Sequence, residues 1–98
     1  MIHSSSVIDK NAKVSNSAKI GPFCYVGPHV ELSDGVVLVS NVHIEGHTTI
    51  GKNTKIFPFA SIGTQPQDLK FKNEENSLLI GEKNIIREYV TINPGTEG

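Results

Sequence analysis

The 98-residue chain carries 10 acidic and 9 basic residues, so its net charge of −1 offers no basic excess that would attract nucleic acid. Its 37% hydrophobic content excludes a typical disordered chain, and no apolar run approaches the roughly 20 residues of a membrane span. Cys24 is the only cysteine, so an internal disulfide is excluded. Because residues 1–10 lack the apolar stretch of a secretory signal, we expect a cytoplasmic protein with one domain over residues 1–98.

An aliphatic residue recurs at every sixth position through the first two thirds of the chain. The ten positions are Ile8, Val14, Ile20, Val26, Leu32, Leu38, Ile44, Ile50, Ile56 and Ile62. A small or β-branched residue stands two positions before each of the last nine, from Ala12 to Ala60. Since side chains two apart in a strand share a face, each hexad predicts a short strand with one small and one large inward residue.

The residues three positions after each aliphatic indicate tight turns between these strands. After the first nine aliphatics, Ile8 to Ile56, six of the nine residues at this position are Asn, His or Gly, the types that best tolerate positive φ. Three hexads then form one coil, and adjacent coils pair as parallel strands about 4.8 Å apart. The pattern predicts an all-β fold, a triangular solenoid of hexapeptide repeats. A β-sandwich is disfavoured because its strands recur at roughly 8–12-residue spacing.

The repeat stops after Gly63 and resumes at Ile80, Ile86 and Ile92. We therefore divide the domain into coils over residues 1–63, a polar loop over 64–79 and resumed coils over 80–98. The separation of Ile62 and Ile80 equals three hexads, or one coil, so either the loop replaces two sides of a coil or the match is coincidental. No polar cap follows the last hexad, and we expect the solenoid to be C-terminally incomplete.

Several side chains could carry chemistry or contacts. His29 and His47 lie one coil apart, so their rings should stack. Two stacked imidazoles suggest an acid–base pair or a metal site. Because metal sites in proteins require three or four ligands, we predict that no metal binds here. Phe23 and Phe59 should point outward and favour a subunit interface. Cys24 occupies an inward position typical of inert core.

Asp68 and Lys70 form the best polar pair in the loop. A carboxylate can accept hydrogen bonds from sugar hydroxyls, and an ammonium can meet a phosphate. The sequence contains no nucleophile elbow, zinc-protease helix motif or phosphate-binding P-loop.

Four segments carry a family resemblance that covers nearly the whole chain. They read IGPFCYVGPHVEL, NVHIEGHTTIG, FPFASIGTQPQDLKF and GEKNIIREYVTINPGT. Together they closely resemble the UDP-N-acetylglucosamine O-acyltransferases that start lipid A synthesis in Gram-negative bacteria. The hexads are shared by many acyltransferases, whereas QDLK followed by IREYVTINPGT is much more specific.

The resemblance implies a left-handed parallel β-helix, a homotrimer with active sites between subunits, and no cofactor. The implied reaction moves a 3-hydroxyacyl chain from acyl carrier protein to the glucosamine 3-hydroxyl of UDP-N-acetylglucosamine, with a histidine as general base. By position, Gln67, Asp68 and Lys70 would lie at the nucleotide-sugar site.

Three departures from the family affect the catalytic expectation. The family's catalytic histidine lies beyond Gly98, so we expect no catalytic residue here, and the C-terminal helical domain has no counterpart. Asn93 stands where the family commonly has His. We therefore expect the 98 residues alone to be inactive.

Other solenoids remain as alternatives. A γ-class carbonic anhydrase needs three zinc-binding histidines across a subunit interface. A structural or ice-binding solenoid would have flat, regular faces, which the loop interrupts. Another hexapeptide acyltransferase, such as the related N-acyltransferase of the same pathway, would share the hexads but should lack QDLK in this context.

Overall fold

The computed structural model of the protein describes residues 1–63 and 77–92, which fold into thirteen short strands and no helix. The strands are β1 (Val7–Ile8), β2 (Lys13–Val14), β3 (Lys19–Ile20), β4 (Tyr25–Val26), β5 (Val30–Leu32), β6 (Val37–Leu38), β7 (His43–Ile44), β8 (His47–Ile50), β9 (Lys55–Ile56), β10 (Ser61–Ile62), β11 (Ser77–Ile80), β12 (Ile85–Ile86) and β13 (Thr91–Ile92). Within these described ranges no helix could cross a membrane.

Every strand pairs in parallel with the strand three places along the chain, which produces three faces. Face 1 has the order β1-β4-β7-β10-β13, face 2 the order β2-β5-β8-β11, and face 3 the order β3-β6-β9-β12. Within residues 1–63 paired positions are three hexads apart, as are Val26 and Ile44. The predicted hexapeptide solenoid is confirmed, and the fold is a left-handed parallel β-helix.

The aliphatic repeat forms the core, as predicted. Eight of the ten aliphatics from Ile8 to Ile62 are buried, and the other two, Ile8 and Val14, are partly buried. These two belong to the first coil, which has a neighbouring strand on one side only. Ile20, in the same coil, is buried because Ile2 forms a parallel β-bridge with it.

The strands after the break show what the loop replaces. Ile80 pairs with Ile50 and Ile92 pairs with Ile62, so the paired positions are five hexads apart instead of three. The insertion therefore adds the length of two hexads at one corner and replaces no side of the prism. The one-coil separation of Ile62 and Ile80 is a coincidence, since it comprises one normal hexad and the two added ones. Strand β11 begins at Ser77, inside the segment expected to be loop.

The turns differ from the sequence expectation at one of the three corners. Left-handed residues occur three positions after the aliphatic at two corners: Phe23, Asn41, Phe59 and Tyr89 at one, and Gly35, Asn53 and Lys83 at the other. At the third corner Gly46 and Gly63 have positive φ. The expectation was wrong at this corner for Asn11, His29 and His47. Before β8 the turn closes at Gly46, which leaves His47 to begin the strand.

Candidate functional site

The insertion leaves and rejoins the prism at the corner between faces 1 and 2. We define the insertion corner as Glu45, Gly46 and His47 of one coil, with Gly63 and Ser77 of the next. Its parts are brought together by the parallel pairing of β7 with β10 and of β8 with β11. The predicted sugar-site residues Gln67, Asp68 and Lys70 lie outside the described residues, as does Asn93.

Gly63 forms the point where the chain departs from the prism. Its φ is +79°, and a Cβ there would overlap both the Glu45 carbonyl oxygen and the Thr48 hydroxyl. Its N–H donates to the Ile92 carbonyl at 2.7 Å, so the turn is held between two coils. Only glycine fits this conformation and this close approach without displacement of the neighbouring backbone.

Ser77 forms the point of return. It lies in register with His47, and the pairing continues residue by residue to Ile80 beside Ile50. Both ends of the insertion therefore rest on the segment 45–48 of the preceding coil. The core therefore remains continuous on both sides of the insertion.

The two histidines predicted to stack do so beside the insertion corner. The His29 and His47 rings have centroids 4.4 Å apart and planes 12° apart. They border a shallow groove of about 370 Å³, which Lys13, Glu31 and Thr49 also line. Within residues 1–63 and 77–92, no group of three His, Cys, Asp or Glu side chains is placed to hold a metal ion.

Sequence reasoning missed a second imidazole contact on face 1. Tyr25 stacks on His43 with centroids 4.8 Å apart, and His43 Nε2 lies 3.1 Å from Glu45 Oε2. The signal was available, because Tyr25 and His43 are one coil apart and Glu45 follows two positions later. The side chains of His43 and Glu45 are about half exposed, so the pair contributes little to stability.

An aromatic edge runs along the corner between faces 3 and 1, and we define it as Phe23, Phe59 and Tyr89. All three side chains are exposed, and Tyr89 stacks on Phe59 with centroids 5.4 Å apart. Asn41 occupies the intervening coil. The sequence predicted that Phe23 and Phe59 face outward, which is confirmed, but Tyr89 was not identified because it follows the insertion.

Two cations contact the aromatic ring next to this edge. The Arg87 guanidinium carbon lies 4.4 Å from the Phe57 ring centroid, and Lys55 Nζ lies 5.2 Å from it. Arginine and aromatic side chains are the types that dominate the energetics of protein interfaces. The edge and its neighbours therefore have the composition of an interaction surface.

Cys24 is buried in the core, as the sequence predicted. Burial raises the pKa of its thiol, although hydrogen bonds to Val42 and Ser6 oppose the shift. Because the thiolate is the reactive form, Cys24 is suited to packing and not to nucleophilic chemistry.

Comparison with known proteins finds relatives that match nearly the whole chain. The chain is 55% identical over 97 residues to the acyl-[acyl-carrier-protein]–UDP-N-acetylglucosamine O-acyltransferase of Rickettsia peacockii (strain Rustic), a match that covers 99% of this chain and 37% of that protein. The enzyme of the same name from Rickettsia canadensis (strain McKiel) is 53% identical with the same coverage. No protein-family model matches the chain.

Solved structures give the same result. A crystal structure of a UDP-N-acetylglucosamine acyltransferase superposes with a TM-score of 0.94 at 53% identity, over 100% of this chain and 38% of that one. The Francisella novicida enzyme gives 0.92 at 45% identity, over 98% and 35%. The resemblance seen in the sequence is confirmed: this chain is similar to the N-terminal portion of these enzymes and spans little more than a third of their length.

Proposed function

We propose that the chain forms the first coils of a UDP-N-acetylglucosamine O-acyltransferase, because it matches the N-terminal portion of such enzymes over nearly all of its residues. The proposed reaction transfers a 3-hydroxyacyl chain from acyl carrier protein to the glucosamine 3-hydroxyl of UDP-N-acetylglucosamine, in the cytoplasm, as a step of lipid A synthesis. The observation that carries the proposal is the insertion containing QDLK, which is added to an otherwise regular prism of the same fold.

In this proposal the insertion binds the nucleotide sugar. Asp68 accepts hydrogen bonds from sugar hydroxyls, Lys70 meets a phosphate, and Gln67 can donate and accept through its amide. Because the insertion replaces no strand, these side chains are not needed for the core. The anchoring of both ends at the insertion corner supports a role for this segment in binding.

The chemistry requires a general base outside these coils. The base takes the proton of the 3-hydroxyl, the sugar oxygen bonds to the thioester carbon, the C–S bond breaks, and the thiol of acyl carrier protein leaves with a proton. Backbone N–H groups would stabilise the oxyanion. We assign no catalytic residue to this chain. We propose that it contributes only substrate-binding residues to the active site of the enzyme.

We further propose that the enzyme is a homotrimer in which the aromatic edge lies between subunits. Phe23, Phe59 and Tyr89 expose large apolar surfaces although they hold left-handed backbone conformations that are unfavourable for bulky residues. The strained left-handed backbone at these residues does not improve packing of the core, because the side chains point away from it. Burial against another subunit would supply the compensating free energy.

An acyl-transfer assay tests the proposed reaction. This chain would replace the matching 97 residues of the Rickettsia peacockii relative, and the chimera would be assayed beside the 98-residue chain. We expect turnover by the chimera and none by the short chain, since loss of a general base alone typically lowers rates by about 10²–10⁴. Normal turnover by the short chain would show that these coils carry the catalytic residue.

Substitutions in the chimera test the assignment of the insertion. Asp68→Ala and Lys70→Ala should each raise the KM for UDP-N-acetylglucosamine, while Lys72→Ala, a charge-matched control in the same segment, should not. If all three variants keep the parental KM, the insertion is not the nucleotide-sugar site.

A further inference from the structure

The outward residues of faces 1 and 3 form two rows on each face. They stand directly before and directly after the aliphatic of each strand, since alternate residues of a strand point to opposite sides. On face 1 the chain enters each strand from the aromatic edge, so the residue after the aliphatic lies farther from that edge. On face 3 the chain runs toward the edge, so the residue before the aliphatic lies farther from it. We call the rows far from the edge the outer rows and the rows close to it the inner rows.

The two outer rows carry opposite charges in matching order. From the first coil to the fourth, the outer row of face 1 alternates between acidic residues and glycine, and that of face 3 alternates between lysine and an aliphatic residue. The rows read Asp9, Gly27, Glu45 and Gly63 on face 1, and Lys19, Val37, Lys55 and Ile85 on face 3. Each coil that carries an acidic residue on face 1 therefore carries a lysine on face 3.

These charges are placed to meet another molecule. Lys19 and Lys55 are exposed, and Asp9 and Glu45 are partly buried. Within residues 1–63 and 77–92, Asp9, Lys19 and Lys55 form no ion pair, and the ion pair of Glu45 is with the half-exposed His43. Because faces 1 and 3 look in different directions, the acidic residues and the lysines of one chain do not pair with each other.

The surface between the charges is largely apolar. Face 3 has a groove of about 590 Å³, which Val37 and Val39 line together with the two outer-row lysines. The inner row of face 1 begins with Val7, which is 60% exposed. Apolar surface with charged residues at its margin is the usual composition of a protein interface.

We infer that face 3 of one copy docks against face 1 of a second copy, with equal coils at equal height. Rotation about an axis parallel to the solenoid keeps each coil at its own height. It brings Asp9 toward Lys19 of the partner subunit, and Glu45 toward Lys55 of the partner subunit. The aromatic edge is the corner that faces 3 and 1 share, so the docked surface is continuous with the contact proposed there. The inference rests on the proposed homotrimer and adds which faces meet and in which register.

Other arrangements around the same edge lose this complementarity. In an antiparallel pair related by a two-fold axis, each face would lie against its own copy, and lysines would approach lysines. A parallel pair shifted by one coil, about 4.8 Å, would set every outer-row charge opposite a glycine or an aliphatic side chain. Because like charges placed opposite each other disfavour association, the alternating pattern selects the unshifted parallel arrangement.

Cross-linking of the chimera tests which residues meet. Glu45→Cys combined with Lys55→Cys, treated with a short bismaleimide, should give covalent dimers and trimers on a denaturing gel. Glu31→Cys combined with Lys55→Cys is the matched control, because Glu31 is an exposed glutamate on face 2, and it should give monomers. The chimera without introduced cysteines is the blank, in which Cys24 is buried.

Charge reversal tests the register. Glu45→Lys alone or Lys55→Glu alone should raise the concentration at which half of the chimera dissociates by about tenfold in sedimentation experiments, because three pairs become repulsive at once. The two reversals together should restore the parental value. Glu45→Lys combined with Lys19→Glu has the same net charge but makes two levels repulsive, so it should not restore association. Glu31→Lys should leave association unchanged.

Two results would overturn the inference. One is an equal cross-linking yield from the Glu31 control, and the other is a loss of association in Glu45→Lys that Lys55→Glu does not restore. The acyl-transfer assay distinguishes this failure from that of the proposed function. Turnover by a trimeric chimera that gives either result refutes the docking alone, whereas the expected cross-links without turnover refute the proposed reaction and leave the docking in place. A monomeric chimera refutes both the homotrimer and the docking.

Discussion

Replacement of Ile50 by alanine tests whether the stacked aliphatic column carries the stability of the prism. Ile50 is fully buried and lies in register between Leu32 and Ile80, on the last coil before the insertion. Removal of a buried Ile side chain costs about 2–5 kcal/mol, and the upper part of that range applies where neighbours cannot collapse into the cavity. Here hydrogen-bonded strands on both sides hold the neighbours apart, so we expect a loss of about 3–5 kcal/mol.

The effect is measured by urea or thermal unfolding of the 98-residue chain followed by circular dichroism. For a domain of this size, 1 kcal/mol corresponds to roughly 4–8 °C in Tm, so a decrease of more than about 12 °C is expected. Leu79→Ala is the matched control, because Leu79 lies on the adjacent strand of the same face but is 75% exposed. A loss below about 1 kcal/mol in Ile50→Ala, or an equal loss in Leu79→Ala, would refute the argument. Ile50→Asp should be more damaging still, since it buries an unpaired charge.

Three further predictions follow from the surface and the turns. Tyr89→Ser should weaken association of subunits without a large loss of stability in the isolated chain, as measured by light scattering across micromolar concentrations; a parent chain that is itself monomeric would contradict the assigned interface. No stoichiometric zinc should be found with His29 and His47 by elemental analysis of untagged protein, because two stacked imidazoles leave a metal site short of ligands. Gly63→Ala should lower the Tm by several degrees because a Cβ overlaps the Glu45 carbonyl oxygen, whereas Gly81→Ala, whose Cβ would meet the Asn84 side-chain nitrogen at 3.6 Å, should have a much smaller effect.

The core could be predicted from the sequence because the hexad period leaves little freedom. Each hexad specifies one small and one large inward side chain, and a shift by one residue would turn the aliphatics outward. The column from Val14 through Leu32 to Ile50 follows directly from that spacing. The same period could not reveal how the chain crosses the insertion, because the aliphatics resume in phase whether the insertion adds two hexads or replaces two sides. The pairing of Ile80 with Ile50 and of Ile92 with Ile62 distinguishes the two.

Contacts between outward side chains were harder to predict. Stacking of His29 on His47 followed from their one-coil spacing. Tyr25 and His43 have the same spacing, but the approach of Glu45 to His43 joins two different positions of the repeat. Turn conformation was also ambiguous. Asn and Gly at turn positions indicate positive φ, yet Phe23 and Phe59 adopt it too, at the same corner as Asn41. The Phe59 N–H donates to the Asn41 carbonyl, and the Asn41 N–H donates to the Pro22 carbonyl.

The place of the insertion explains how a repetitive fold can accommodate extra chain. In a solenoid each coil contacts only its neighbours, so stability depends on the register between adjacent strands and not on the length of the connection between them. The two hexads' worth of extra chain between β10 and β11 leaves the pairs Ile62–Ile92 and Ile80–Ile50 intact, and the entropy of loop closure rises only slowly with loop length. The prism must still fix the backbone position at which the chain leaves the regular coils. Gly63, which has a positive φ, packs against the turn that the Thr48 hydroxyl closes by its hydrogen bond to the Glu45 carbonyl. The absence of a side chain at Gly63 permits this close contact.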